Sequence, residues 1–129
     1  MKKEFLEVPL RKALEKKFHK TLEQLASELI FKPLNMKDTR FFWDASVDST
    51  RFAKWHKENG ELYETYKNAT ANAADDLLTT VEDYSKFIVS ILDGAGLSKR
   101  IYGEMVADQS RINNCKHFGL GWIIYLNEA

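Results

Sequence analysis

The chain has 129 residues, 29% of them charged, and its nineteen basic and nineteen acidic side chains cancel to a formal net charge of zero. That length buries a core without staples, and the zero balance leaves no electrostatic footprint for nucleic acid or an anionic membrane surface. Cys115 stands alone, so an internal disulfide is excluded, no apolar run nears the roughly 18 residues of a membrane span, and Met1-Lys2-Lys3-Glu4 opens no signal-peptide core.

The first predicted element is a long helix over 9–31. Leu10, Leu14, Phe18, Leu22, Leu25, Leu29 and Ile30 recur at steps of three and four, with Lys, Arg and Glu between them. The pattern leaves open both a continuous helix and a break around His19-Lys20-Thr21, where Thr21 with Gln24 three residues on spells a capping box for a second segment. Pro33 should push Lys32 out of the α region and stop the helix. Asn35 then tolerates a left-handed backbone better than any residue but Gly. Phe41, Phe42 and Trp43 anchor an ordered loop over 40–50, although the same trio would also serve as a shelf for a ligand. Phe52 to Tyr66 alternates as a hairpin around Asn59-Gly60, the dipeptide of a type I′ turn. Asn68 to Asp76 is a loop of small and polar residues.

The clearest helix follows. Val81, Tyr84, Phe87, Ile88, Ile91 and Leu92 share one face, Thr80 is the N-cap with Asp83 closing a capping box, and Asp93-Gly94-Ala95-Gly96 ends the element. Ser98 caps a further helix to about Asp108, with Ile101, Tyr102, Met105 and Val106 as its buried stripe. Ser110 to His117 reads as polar connection. Phe118 to Leu126 reads as one apolar strand, opened by Gly119 and Gly121, which permit close approach of another backbone. That strand is expected to find cover in one of two ways, by docking on the chain's own hairpin and helices or, the preferred reading, by pairing across a homodimer through Phe118–Leu126.

Three stretches carry more than periodicity. They are Phe31-Lys32-Pro33-Leu34-Asn35-Met36-Lys37-Asp38-Thr39, the run Asn72-Ala73-Ala74-Asp75-Asp76-Leu77-Leu78-Thr79-Thr80-Val81-Glu82-Asp83, and Phe118-Gly119-Leu120-Gly121-Trp122. In order and rough spacing they resemble the Pro-Leu-Gly-Met-x-x-Thr, Leu-x-Ser/Thr-Thr-x-x-Asp and Gly-Leu-Gly-Trp segments of the serine β-lactamase and penicillin-binding-protein family. The likeness is to its class C-type branch, which also holds DD-peptidases and esterases. Asn35 stands where the family usually has Gly, and Asp75-Asp76 where it often has Gly-Gly.

The resemblance implies a fold class, mainly α with a small β component (α+β). The chain would be the helical middle portion of a β-lactamase/transpeptidase-like fold, a single domain over 1–129 truncated at both ends. It implies acyl transfer through Ser-x-x-Lys, Tyr-x-Asn and Lys/His-x-Gly motifs, on a β-lactam, peptidoglycan-like peptide or ester, in a parent exported to the periplasm or cell envelope. It also places Asn72, Ala73, Ala74, Asp75 and Asp76 at the edge of the substrate cleft. Yet none of Ser27, Ser46, Ser49, Ser85, Ser90, Ser98 or Ser110 has Lys three residues later, so no catalytic residue is assigned within these 129. Tyr66-Lys67-Asn68, Tyr125-Leu126-Asn127 and His117-Phe118-Gly119 match family motifs in letters but lie out of family order. His19, His56, His117 and Cys115 show no paired ligand spacing, so neither metal nor cofactor is expected. From another class of function, the alternative is a non-catalytic binding module that uses Phe41–Trp43 and the strand end as its surface.

Overall fold

The computed structural model describes residues 4–73 and 76–125. They group into two compact units that meet in sequence between Lys86 and Phe87. The architecture is mainly α with a small β component. Helices α1 (Glu4–Phe18), α2 (Leu22–Ala26), α3 (Val81–Leu92) and α4 (Lys99–Val106) precede strands β1 (Ser110–Arg111), β2 (Lys116–Phe118) and β3 (Ile123–Tyr125).

In the first unit, α1 begins at Glu4, ahead of the expected start, and carries Pro9 inside it. Without an N–H, Pro9 forgoes one bond to the preceding turn. Of the two open readings, the break is the one found. His19 turns left-handed at φ 51°. Thr21 then caps α2 by accepting from the Gln24 N–H at 3.2 Å, while its own N–H donates to Gln24 Oε1 at 2.9 Å. A π turn over Ser27–Phe31 continues α2.

Lys32 stays in the right-handed α region (φ −67°, ψ −49°) rather than leaving it ahead of Pro33. The π turn explains this: its wider ring pairs the Lys32 N–H with Ser27 O at 2.9 Å and loosens the turn against which the Pro33 ring would press. The helical path ends two residues past Pro33, at Asn35 (φ 55°). There the Met36 N–H reaches Phe31 O at 2.8 Å and the Asn35 N–H reaches Lys32 O at 3.0 Å, the paired bonds of a Schellman end. The two side chains that such an end brings together, Phe31 and Met36, are both buried. The extra residue of the π turn also rotates the helical phase. Leu25, Ala26 and Phe31 take the inner positions, while Leu29 of the expected stripe is exposed; Leu10 and Phe18, in α1 ahead of the break, are exposed as well.

The aromatic loop anchors as expected: Phe41 packs on Phe31 with centroids 5.6 Å apart, and Trp43 meets Phe52 edge-on at 5.1 Å. The hairpin is present but reduced to a single bridge, His56↔Leu62. Its turn is not type I′. Gly60 is left-handed (φ 83°) but Asn59 is not. The Gly60 N–H closes on Lys57 O at 2.9 Å and the Lys57 N–H on Glu61 O at 2.8 Å, a three-residue loop with Gly60 at the bulge.

Helix α3 starts as predicted, with the Asp83 N–H donating to Thr80 Oγ1 at 3.2 Å. Its apolar face is half covered: Phe87, Ile88 and Ile91 are half-buried, but Val81, Tyr84 and Leu92 are exposed. In the second unit, Ser98 caps α4 by accepting from the Ile101 N–H. The stripe expected to be buried is not: Tyr102 and Met105 are half-buried, Ile101 and Val106 exposed.

Two corrections concern the chain after α4. Ser110 to His117 is a hairpin rather than a plain connection: β1 pairs antiparallel with β2 around Asn113-Asn114. The run 118–126 is not one strand. It turns over Gly119–Trp122, and β3 comes back on β2 with His117↔Ile124 in register. The expected lone strand therefore has a partner at home, in the order β1-β2-β3; Leu126 lies outside the described residues. Gly119 has the predicted close approach, since a Cβ there would stand 2.6 Å from Met105 O. At Gly121 the requirement is instead φ 82°.

Candidate functional site

The loop expected to edge a cleft is tied down from several sides. Before it, the Trp43 N–H donates to Asn68 O at 2.7 Å. From α1, Arg11 donates to Ala71 O at 2.7 Å. After it, Arg40 and Leu78 exchange both backbone bonds, at 2.9 and 2.8 Å. Within it, the Asp76 N–H reaches Asn72 O at 3.1 Å, and the Asp76 carboxylate accepts from the Asn68 amide. The described residues on either side of 74–75 are thus held at Asn68, Ala71, Asn72, Asp76 and Leu78.

Of the residues assigned to that edge, Asn72 is half-buried with its carbonyl engaged, Ala73 is exposed, and Asp76 is half-buried and turned to Asn68. Ala74 and Asp75 lie outside the described residues. The sequence reading gave Asn68 no role beyond opening the loop and ending a coincidental Tyr-x-Asn; its signal was position, eight residues before a carboxylate in a loop of polar residues. It also missed the cavity beside the loop. About 360 Å³ in volume, that cavity is walled by Phe42, Trp43, Phe52, Trp55, Tyr63 and Tyr66, with Asp76 on its rim. The available signal was density, since seven of sixteen aromatic residues fall between Phe41 and Tyr66.

The most buried charged group described is Asp83, in the first turn of α3. Its Oδ2 accepts from the Asp38 N–H at 2.7 Å and from Thr39 Oγ1 at 3.0 Å; its Oδ1 accepts from Lys86 Nζ at 3.0 Å. Thr39 also shares a hydrogen bond with Thr79 at 2.8 Å. The carboxylate thus joins the stretch ending in Thr39 to the one ending in Asp83. Burial pushes its pKa up, but the hydrogen bonds from Lys86, the Asp38 N–H and Thr39, together with the Lys86 charge, outweigh it and hold the group below the ordinary carboxylate value. Lys86 is raised in turn by its bonds to Glu82 and Asp83, and it donates to Asn35 O at 3.0 Å. The Asp83 and Lys86 charges are taken up by backbone and by each other. That is the pattern of a structural joint, not of a general acid or base.

The motif look-alikes resolve similarly. His117 is buried in the central strand with Nδ1 against the Asp108 carboxylate, and Tyr66 stands at the cavity wall. Tyr125 is exposed on β3, while Leu126 and Asn127 lie outside the described residues. Among the described residues no cluster of His, Cys, Asp and Glu has the makings of a metal site, and no helix is long and apolar enough to cross a membrane.

Comparison with known proteins bears on this geometry. The Beta-lactamase family model matches residues 9–127. Among solved structures, a penicillin-binding protein from Bacillus halodurans aligns with a TM-score of 0.78 and 13% identity, over 95% of this chain and 39% of its own. D-amino acid amidase from Ochrobactrum anthropi SV3, complexed with L-phenylalanine, gives 0.75 and 22% over 95% and 38%. The octameric penicillin-binding protein homologue from Pyrococcus abyssi gives 0.71 and 21% over 92% and 28%. The chain therefore spans about two-fifths or less of these structures. No curated protein sequence matches it.

Proposed function

The chain belongs to the Beta-lactamase family, and we propose that it forms the helical portion of a serine hydrolase that cleaves an amide or ester through an acyl-serine. In this proposal the loop Asn72–Asp76 edges the substrate cleft, and the parent protein works at the cell envelope. The observation that carries the proposal is the anchoring of the described part of this loop, 68–73 and 76–78. Arg11, Trp43 and the Arg40–Leu78 bridge hold it in place, as substrate positioning requires, directly beside a concave aromatic wall. The amidase and penicillin-binding neighbours support a carbonyl substrate. The nucleophile is supplied from outside these residues, because no serine here has Lys one helical turn on.

Incubation with a labelled penicillin or a fluorophosphonate, followed by mass spectrometry, tests this. The 129 residues alone should show no stoichiometric serine adduct. The adduct should form when they are joined to, or mixed with, a polypeptide carrying Ser-x-x-Lys from the rest of the fold. A specific adduct on one of the seven serines of the chain alone would overturn the proposal. Self-association belongs to the same proposal. Among the described residues the outer edge of β3 has no neighbouring strand, which supports pairing there across a dimer. A single monomeric species at micromolar concentration in sedimentation equilibrium would refute it.

A further inference from the structure

The aromatic cavity has a charge character that a hydrolase cleft edge does not require. Six rings wall it, and among the described residues its lining contains no Lys, Arg or His. The charged groups among the described lining residues are the carboxylates of Glu64 and Asp76. Aromatic faces carry negative potential that attracts cations, and carboxylates at the rim strengthen that attraction. The protein's own cations already respond to these rings. Lys67 Nζ stands 5.0 Å from the Trp43 centroid and Lys57 Nζ 6.0 Å from that of Tyr63, within the distance at which cation–π attraction acts.

We propose that this cavity is a binding site for a small ligand carrying an organic ammonium group. The chemistry is selective in two directions. An anionic ligand would meet two carboxylates in the lining, with the nearest cations, Lys67 and Lys57, already held against the Trp43 and Tyr63 rings. A neutral apolar ligand would gain ring contact but nothing from Glu64 or Asp76. A quaternary or alkylated ammonium offers both a diffuse positive charge, cheap to remove from water, and methyl groups that pack on the rings. The volume of about 360 Å³ admits such an ion with a short substituent. Trp55 and Tyr66 are the most exposed of the six rings, at 76% and 82%. They form the outer wall that an entering cation meets first. This site stands on the cavity alone and holds whether or not the chain belongs to an acyl-transfer enzyme.

The test is direct binding to the unmodified chain, followed by the fluorescence of Trp43 and Trp55 and by NMR of the backbone amides. The probes are choline and its neutral carbon isostere, 3,3-dimethylbutan-1-ol. Choline should saturate, shift the amides around 63–66, and bind at least tenfold more tightly than the alcohol. Trp55→Ala should weaken choline about tenfold or more, and Glu64→Gln a few-fold. Both positions are exposed, and circular dichroism checks that both variants fold. Equal binding of choline and the alcohol would reduce the site to an apolar pocket and overturn the proposal. So would unchanged choline binding in Trp55→Ala, no choline response at tens of millimolar, or saturation by chitotriose without choline, which would make the rings a sugar platform. None of these measurements reads hydrolysis, so each outcome leaves the acyl-serine proposal where it stands.

Discussion

Truncating Asp83 to Ala should be the most damaging single change in the first unit. The side chain is 3% exposed and receives the Asp38 N–H at 2.7 Å and Thr39 Oγ1 at 3.0 Å. Hydrogen bonds to a charged group each contribute about 1.5–3 kcal/mol, and a donor left unpaired costs about 1–3 kcal/mol. Thr39 keeps Thr79 at 2.8 Å and Lys86 keeps Glu82 at 2.9 Å, so the loss concentrates on the Asp38 N–H and on the ion itself. Together these give about 3–5 kcal/mol, a large part of the 5–15 kcal/mol typical of a domain. Urea unfolding at pH 7, followed by tryptophan fluorescence, measures it; a loss below about 1 kcal/mol would refute the assignment of Asp83 as the joint. The pH dependence gives an independent check. The folded-state pKa lies below the ordinary value of an Asp carboxyl, so the folded state binds this proton less readily than the unfolded chain. Its contribution is full above that value and is lost as pH falls through the folded pKa. Asp44, Asp48 and Glu61 are lowered too and act in the same direction. The informative quantity is therefore a difference: Asp83→Asn should flatten the acid limb of the stability profile, not abolish it.

Gly119→Ala should destabilise the β2–β3 turn by about 1–3 kcal/mol, because the new Cβ would lie 2.6 Å from the Met105 carbonyl oxygen and 3.2 Å from Ile124 Cδ1; thermal unfolding reads the loss, and an unchanged midpoint would show that the close approach is not needed. Ala95→Gly should act in the opposite sense, raising stability by about 0.5–1 kcal/mol, because Ala95 sits at φ 54° between two left-handed glycines. A neutral or lower midpoint would mean that the end of α3 is held by something other than its backbone conformation.

What was legible in the sequence was mostly local. The Thr21–Gln24 box, the Thr80 cap, the Ser98 cap and the left-handed Asn35 each depend on residues within one turn of one another, and each is found. The misreadings have physical causes of the same kind. Strands of two or three residues, as at Ser110–Arg111 and Lys116–Phe118, are too short to show alternation. The π turn before Pro33 inserts a residue that no hydrophobic period anticipates, so the inner position passes to Phe31. Asn59-Gly60 permits both a type I′ turn and a bulged three-residue loop, and the dipeptide alone does not choose. The aromatic cavity was visible only as a cluster of rings, because its walls come from the loop and from both arms of the hairpin.

Asp83 shows why a correct local signal can conceal a site. Thr80-x-x-Asp83 spells a capping box, in which the carboxylate reaches back to the Thr80 N–H. Half of that box forms: Thr80 Oγ1 accepts from the Asp83 N–H at 3.2 Å. The carboxylate instead turns to the Asp38 N–H, forty-five residues away in sequence, and to Thr39. Energetics favour the distant partner. The Thr80 N–H at a helix start is one donor that water can reach, at little cost. Thr39 is buried, and the adjacent Asp38 N–H is part-buried, so leaving these donors unpaired would cost about 1–3 kcal/mol each. Lys86, three residues along the same helix, closes the other oxygen at 3.0 Å and keeps the ion paired. The same arrangement sets the role of the group. A carboxylate held by a backbone amide, a buried hydroxyl and an ammonium, with its pKa lowered, is a poor base for a substrate proton, so its work is to hold the 38–39 stretch against the start of α3.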